Sequence, residues 1–322
     1  MKICILGCGA YGLALASIFN KNKHNVVMWT YSKDEEISLI DKRESDKLLG
    51  YKIPNDIKIT SSIKRAIKNS NLIVIAVPAF AVDSVASMIG NLVTKDMHIL
   101  LATKGIENDT CDFLTDVLER YITSNKIAVI SGPTFAKDIV LGVPIGLSLA
   151  TTNVRTKNFI KKVMESDTTK LRDTQDVIGV QICGAIKNVM AIASGMLEGM
   201  DVTDSTKALF LTESLNDIKE LIDALGGNKK TILSFSGFGD ILMTCTSSNS
   251  RNFTYGKLIG EDKLEEAANY SKNTTVEGLY TLRSIKELIK REHVKMPIVD
   301  LISDIIIGKK SKEDMLKFLI EK

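Results

Sequence analysis

The chain has 322 residues, more than the roughly 250 at which one hydrophobic core usually gives way to two, so two domains are expected. Hydrophobic residues make up 44% and charged residues 25%, a globular mix that excludes a disordered chain. Lys plus Arg number 42 against 39 Asp plus Glu, and the net charge of +3 is too small to argue for a nucleic-acid or membrane-surface partner; any anion must be bound locally. Five cysteines (Cys4, Cys8, Cys111, Cys183 and Cys245) give an odd count without a Cys-x-x-Cys pair, and His24, His98 and His293 lie far apart. These argue against a zinc site or a disulfide framework, so no metal is expected. The first apolar run is too short for a signal segment, and no later run reaches the ~18 apolar residues of a membrane span. Reduced cysteines and the lack of an export signal point to the cytoplasm.

Short apolar and β-branched runs recur through the first half, at 2–6, 26–29, 72–77, 98–102, 127–130 and 145–149. They are nearly continuous, as in parallel strands buried on both faces. Stretches with helical spacing lie between several of them, at 13–20, 81–92 and 111–122, and Thr60 to Ser62 reads as the cap of a basic surface helix over 63–69. Strand and helix in alternation predict an α/β fold with a doubly wound, Rossmann-like sheet. From about Leu171 the strand signal stops and helical periods follow, at 179–199, 205–225, 263–269, 276–292, 298–307 and 312–320. The polar stretch Asp173-Thr174-Gln175-Asp176 suits a junction. The expected layout is a dinucleotide-binding domain over 1–172 and an all-helical substrate-binding domain over 173–322. An apolar helical domain could also pair as a homodimer.

The opening Lys2-Ile-Cys-Ile-Leu-Gly7-Cys-Gly9-Ala10-Tyr11-Gly12 runs from a strand through Gly-x-Gly-x-x-Gly into a helix. Gly7 permits the tight turn, Gly9 lets the backbone approach a pyrophosphate, and Gly12 lets helix and strand pack closely. The anion then sits at the positive end of the helix. Alone the motif is weak; between two strands it points to dinucleotide binding. An NAD-selective site usually carries an acid about 20 residues on. Here the second strand ends Trp29-Thr-Tyr-Ser32-Lys33, and the first acid is Asp34. Ser32 and Lys33 could hold a 2′-phosphate, which would admit NADP, or Lys33 could be a solvated loop charge.

Three further segments place polar residues where packing alone would not. Lys104 follows a strand, at the carboxyl edge where open α/β sheets bind ligands, although a solvated lysine is the commoner case. On the helix around Lys187, Gly184, Lys187, Asn188, Ala191 and Gly195 share one face. Such a face suits close approach by another body and a partly buried ammonium, able to pass protons near neutrality. A lysine snorkelling from a core helix fits the spacing equally. In Ser236-Gly-Phe-Gly-Asp240, a glycine-rich turn delivers an aspartate that could simply cap a helix. Ser250-Arg251-Asn252 places a guanidinium beside hydroxyl and amide groups, a recipe for phosphate or a polar helix start.

Together, Gly7-x-Gly9-x-x-Gly12, Ala102-Thr-Lys104-Gly105, Ile130-Ser-Gly132-Pro-Thr134-Phe-Ala136, Gly179-Val-Gln181, Gly184-Ala-Ile-Lys187-Asn188, Gly237-Phe-Gly-Asp240, Thr244-Cys-Thr246, Asn249-Ser250-Arg251-Asn252 and Val276-Glu277-Gly278 resemble the bacterial-type NAD(P)-dependent glycerol-3-phosphate dehydrogenase family over nearly the whole chain. The resemblance implies an oxidoreductase using NAD or NADP and a small-molecule triose phosphate. It would reversibly reduce dihydroxyacetone phosphate to sn-glycerol 3-phosphate, which feeds glycerophospholipid synthesis. It makes Lys187 the general acid/base, with Lys104 beside the reacting oxygen and Asp240 orienting the catalytic lysine. It gives Gly132, Thr134, Thr244, Ser250, Arg251 and Asn252 to the substrate, with Arg251 and Asn252 on its phosphate. Beside the glycine loop with Ala10 and Tyr11, it brings Lys104, Ala136, Arg251 and Glu277 to the cofactor, and the strand-end reading above adds Ser32 and Lys33. One segment, Ser205-Thr-Lys207-Ala-Leu-Phe-Leu-Thr-Glu213-Ser214, departs from the family in its charges. A 6-phosphogluconate or ketopantoate reductase-like enzyme shares the two-domain plan, and a catalytically silent dinucleotide sensor is the alternative from another class.

Overall fold

The computed structural model describes residues 1–123 and 126–321. The chain divides into two compact units. The first comprises Met1–Lys104 and Phe113–Val177, and the second Gly105–Asp112 and the chain from Ile178 onward.

The first unit is built on an eight-stranded sheet. Its strands are β1 (Lys2–Leu6), β2 (Asn25–Trp29), β3 (Lys58–Thr60), β4 (Leu72–Ile75), β5 (His98–Leu101), β6 (Ile127–Ser131), β7 (Ile145–Ala150) and β8 (Thr169–Thr174), in the order β3-β2-β1-β4-β5-β6-β7-β8. β1 to β6 are mutually parallel, with Cys4 opposite Val27 on one side and Ile73 on the other. Ile3, Cys4, Ile5 and Leu6 are all fully buried, so both faces of this central strand are covered, which is why it reads as an unbroken apolar run. Helices α1 (Ala10–Lys21), α2 (Lys33–Lys42), α3 (Ile63–Ile67), α4 (Val82–Ile89), α5 (Leu114–Glu119), α6 (Ala136–Leu141) and α7 (Val154–Met164) make the connections. The strand order reverses between β1 and β4, the switch point at which doubly wound sheets take their ligands.

Three features of the sheet differ from the sequence reading. β7 is apolar and buried as expected, yet it runs antiparallel to β6, and β8 runs parallel to β7. β8 itself was not expected: Thr169 and Leu171 point inward while Lys170 and Arg172 are exposed, the alternation of an edge strand with one wet face. Asp173 and Thr174, read as a junction, complete this strand. β3 is only three residues long, and Thr60 ends it; Ser62 alone caps α3, accepting from the Arg65 amide at 3.5 Å.

The second unit is helical: α8 (Val177–Gly199), α9 (Asp204–Ala224), α10 (Asp240–Thr246), α11 (Arg251–Gly260), α12 (Leu264–Asn273), α13 (Glu277–Arg291), α14 (Pro297–Ile306) and α15 (Asp314–Glu321). α10 and α11 arise in the polar segments around Asp240 and Arg251, where only helix starts were expected. α8 is long and apolar enough to cross a membrane, but 89% of its apolar window is buried inside the protein, which marks it as a core helix. Glycines set its crossing with α11. A Cβ on Gly256 would lie 1.9 Å from the Ile192 carbonyl oxygen, and one on Gly195 would lie 2.1 Å from that of Phe253. The small-residue face read from the sequence is thus pressed against another helix of the same unit. The segment Gly105–Asp112 is held by α13, whose Arg291 donates to the Thr110 carbonyl at 3.0 Å and to Asp112 at 3.1 Å.

Candidate active site

In the first unit the glycine loop follows β1 directly. Gly7 has φ +117°, and a Cβ there would meet the Ala76 carbonyl oxygen at 2.6 Å, just beyond β4. A Cβ on Gly12 would come within 2.2 Å of the Gly7 carbonyl, so the loop is folded tightly on itself. Gly9 is different: beyond its own stretch of chain, nothing among the described residues lies within 4 Å of the position a Cβ would take. Gly9 is also the N-cap of α1 and offers no side chain to its amides, and Ala10, Tyr11 and Gly12 form the first turn. A helix start with open space beside a glycine fits a pyrophosphate, so these residues suit a dinucleotide cofactor.

Lys104 stands just beyond β5. Its Nζ donates to the Gly132 carbonyl at 3.2 Å and lies 5.8 Å from the centre of the Tyr11 ring. The structure therefore brings together Lys104, the glycine-loop helix and the turn after β6. In that turn Thr134 is buried, and its hydroxyl has no hydrogen-bond partner among the described residues, an acceptor and donor suited to a ligand. Ala136 opens α6.

At the end of β2 both Ser32 and Lys33 make local contacts. Ser32 is the N-cap of α2, its hydroxyl accepting from the Glu35 amide at 3.3 Å. Lys33 pairs with Glu36 at 2.8 Å. Glu36 also accepts from the Ser61 hydroxyl at 2.6 Å, and hydrogen bonds from Lys33 first and then Ser61 lower its pKa to about 2. Ser32 and Lys33 are thus both engaged within the protein. An acid does reach the strand end: the Glu35 carboxylate accepts from the Thr30 hydroxyl and from Lys47 at 2.5 Å. The signal for it was Ser32-x-x-Glu35, a capping-box spacing that starts a helix there and turns its third residue back toward the cap.

In the second unit Lys187 lies in the middle of α8. Its Nζ donates to Asp240 Oδ1 at 2.5 Å and to Thr244 Oγ1 at 3.2 Å. Asp240 is fully buried and the Lys187 side chain only 8% exposed. A turn over Phe235–Gly239 leads into α10, and Gly237 in it is too close to the Ile232 carbonyl oxygen, 2.2 Å from a notional Cβ, for any side chain. This compact turn sets Asp240 at the first position of α10, with Thr244 one turn later on the same face. Asp240 does not cap the helix; Gly239 takes that position and the carboxylate goes to Lys187. Burial favours the neutral amine whereas the carboxylate favours the ammonium. Nearby, burial pushes the Cys245 thiol up to about 12, leaving it an inert packing group.

A second network adjoins through Asn188. Asn252, on the first turn of α11, donates to Asn188 Oδ1 at 2.9 Å and accepts from the Gly278 amide at 2.8 Å. Asn188 in turn donates to Glu277 at 3.5 Å. Ser250 caps α11, accepting from the Phe253 amide at 3.3 Å, and Arg251 is its exposed first residue. Lys187, Asp240 and Thr244 are thus assembled beside Asn252 and Glu277 by adjacent residues of one helix. Asn188 was not singled out from the sequence as a site residue, although a buried asparagine within an apolar helix was signal enough. Among the described residues no group of three His, Cys, Asp or Glu side chains is placed to hold a metal ion.

The N-terminal model of NAD-dependent glycerol-3-phosphate dehydrogenase matches residues 2–157, and the C-terminal model of the same enzyme matches residues 176–317. The glycerol-3-phosphate dehydrogenase (NAD(P)+) of Fusobacterium nucleatum is 32% identical over 323 aligned residues, covering 99% of this chain and 96% of that protein. The protein of the same name from a Thermoanaerobacter species is 34% identical, covering 97% and 94%. The crystal structure of glycerol-3-phosphate dehydrogenase from Coxiella burnetii superposes with a TM-score of 0.93 at 27% identity, covering 100% of this chain and 99% of that one. With both family models matched in order across almost its whole length, this chain belongs to the NAD-dependent glycerol-3-phosphate dehydrogenase family.

Proposed function

We propose that this enzyme catalyses reversible hydride transfer between NADH or NADPH and dihydroxyacetone phosphate, giving sn-glycerol 3-phosphate. The observation that carries the proposal is the buried trio of Lys187, Asp240 and Thr244, an ammonium held by a carboxylate and a hydroxyl. A bound nicotinamide would supply the hydride to C2 of the ketone. As charge develops on the ketone oxygen, Lys187 donates the proton, and it takes the proton back in the reverse direction. Asp240 is the positioning residue: it fixes the ammonium in place. Lys104 adds a second positive charge at the oxygen, and its hold on the Gly132 carbonyl beside Tyr11 supports a place next to the cofactor.

The substrate phosphate falls to the start of α11, where Arg251 offers a guanidinium and the helix its positive end. Asn252 already uses its carbonyl oxygen on Gly278 and one amide hydrogen on Asn188, which leaves its second amide hydrogen for the phosphate. Ser250, Thr244, Gly132 and the Thr134 hydroxyl, which has no partner among the described residues, complete the substrate contacts. Binding energy at the phosphate would serve to align C2 with the incoming hydride. Glu277, with Arg251 and Ala136, belongs to the cofactor side. We assign residues 1–172 to the dinucleotide and 173–322 to the substrate.

Cytoplasmic location is part of the same reading and is supported by five cysteines that are all free. So is a homodimer formed through the helical unit, supported by the exposed Leu233, Phe238 and Leu242. The product is the backbone on which glycerophospholipids are built. Dihydroxyacetone phosphate mixed with NADH and with NADPH, followed by nicotinamide absorbance, tests the reaction. Turnover with at least one cofactor is expected; cofactor binding without turnover would instead make the chain a silent dinucleotide sensor.

A further inference from the structure

One charge pair in the first unit takes no part in the proposed chemistry. Glu35 sits on the first turn of α2, where the Ser32 cap turns its carboxylate back toward the end of β2. One carboxylate oxygen accepts from Thr30 and the other from Lys47. Thr30 is buried and immediately follows β2. The same strand end is stitched to the glycine loop: the Gly7 amide donates to the Trp29 carbonyl at 2.9 Å, and Cys8 Sγ lies 3.6 Å from that oxygen. Glu35 is near enough to Cys8 to add to the effect of burial, which pushes that thiol up to about 12. An acid therefore stands on Thr30 at the end of the second strand, which Gly7 and Cys8 contact through Trp29, and there a doubly wound sheet receives the adenosine ribose.

We propose that Glu35 reads the 2′ position of the adenosine ribose and makes this enzyme prefer NAD(H) to NADP(H). The proposal rests on the dinucleotide-binding reading above and adds the choice between the two cofactors. A carboxylate has about four lone-pair sites; Thr30 and Lys47 take two, and a ribose hydroxyl can donate to the others. A 2′-phosphate would bring about two negative charges against the same carboxylate. The nearby cations are committed: Lys33 to Glu36 at 2.8 Å and Lys47 to Glu35 itself at 2.5 Å. Lys47 is more than half exposed, so solvent screens what it could offer. Along residues 33–47, the six acids Asp34, Glu35, Glu36, Asp41, Glu44 and Asp46 also outnumber the four cations Lys33, Lys42, Arg43 and Lys47.

The test is an equilibrium titration of the full-length enzyme with NADH and with NADPH, read by nicotinamide fluorescence without substrate. NADH should bind about tenfold tighter or more, the size of one hydrogen bond to a charged group. Glu35→Gln should shrink that ratio several-fold by tightening NADPH. Lys47→Met, at an exposed position, should widen it by leaving the carboxylate uncompensated. NADPH binding as tightly as NADH to the wild type, or a ratio unmoved by Glu35→Gln, overturns the proposal while leaving dinucleotide binding intact. Failure of both cofactors to bind overturns the dinucleotide reading and the proposal with it.

Discussion

Replacing Asp240 by asparagine keeps the shape of the side chain and removes its charge, so that Lys187 is left buried beside a neutral amide. In the native enzyme the two groups are 2.5 Å apart, with Asp240 fully buried and the lysine side chain 8% exposed. Two routes bound the cost. If the ammonium stays charged without its carboxylate, the loss is about 3–5 kcal/mol. If it sheds its proton, the cost at about pH 7, starting from an unperturbed lysine pKa of about 10.4, is about 4.6 kcal/mol at roughly 1.4 kcal/mol per pH unit. Either way Asp240→Asn should destabilise the enzyme by about 4 kcal/mol near neutrality. The second route weakens as pH rises, to about 1.2 kcal/mol at about pH 9.5. In that variant the native lysine is neutral while the unfolded one still binds a proton below about pH 10.4, so stability rises with pH. Denaturant unfolding of both proteins, followed by far-UV circular dichroism at about pH 7 and about pH 9.5, should show the stability gap closing by about 3 kcal/mol. A gap of the same size at both pH values would refute the reasoning, because it would mean that charge burial is not what the substitution exposes.

Two glycines should respond in opposite ways to alanine. Gly256→Ala forces a methyl to within 1.9 Å of a backbone oxygen and should cost about 1–3 kcal/mol or more in thermal unfolding. Gly9→Ala places its methyl in open space, so stability should change by less than about 0.5 kcal/mol while cofactor affinity falls; the reverse pattern would contradict both assignments. Arg251→Ala should lower kcat/KM for the phosphorylated substrate by about two orders of magnitude or more, as loss of a charge-assisted anchor does, and an unchanged value would remove its phosphate role. Glu36, lowered to about 2, stabilises the fold fully above its unfolded pKa of about 4.3 and loses that contribution as pH falls toward about 2. The stability difference between wild type and Glu36→Gln should therefore be flat above about pH 5 and shrink below it, as acid titration of the unfolding midpoint would reveal; a flat difference throughout would discount the Lys33 and Ser61 contacts.

What the sequence made legible was whatever depends on neighbours close in the chain. The run from β1 through Gly7, Gly9 and Gly12 into α1 could be read because each glycine meets a local demand, a turn, an open side or a close approach. The α8 face could be read because Gly195, Ala191 and Lys187 repeat at helical spacing, although not that α11 would supply the opposing glycines. The direction of β7 could not, since an apolar run is the same read either way and only its pairing with β6 sets it. β8 was hidden by its alternation of Thr169 and Leu171 with Lys170 and Arg172, and β3 by its three-residue length. In the site, the trio around Lys187 was legible by resemblance to a known family. The twofold engagement of Asn252 was not, because its partners Asn188 and Gly278 lie 64 and 26 residues away. Glu35 is not legible as a strand-end acid because it lies on the first turn of the next helix and reaches the strand end only through its side chain.

The central claim is that Lys187 passes the proton to the ketone oxygen. Single-turnover reduction of dihydroxyacetone phosphate by Lys187→Met, loaded with the better-binding reduced cofactor, measures it most directly, because methionine retains the length of the side chain and cannot donate. The expected result is a rate constant lower by about three orders of magnitude or more with cofactor affinity unchanged. A near-normal rate in that variant would contradict the assignment and move the proton donor elsewhere.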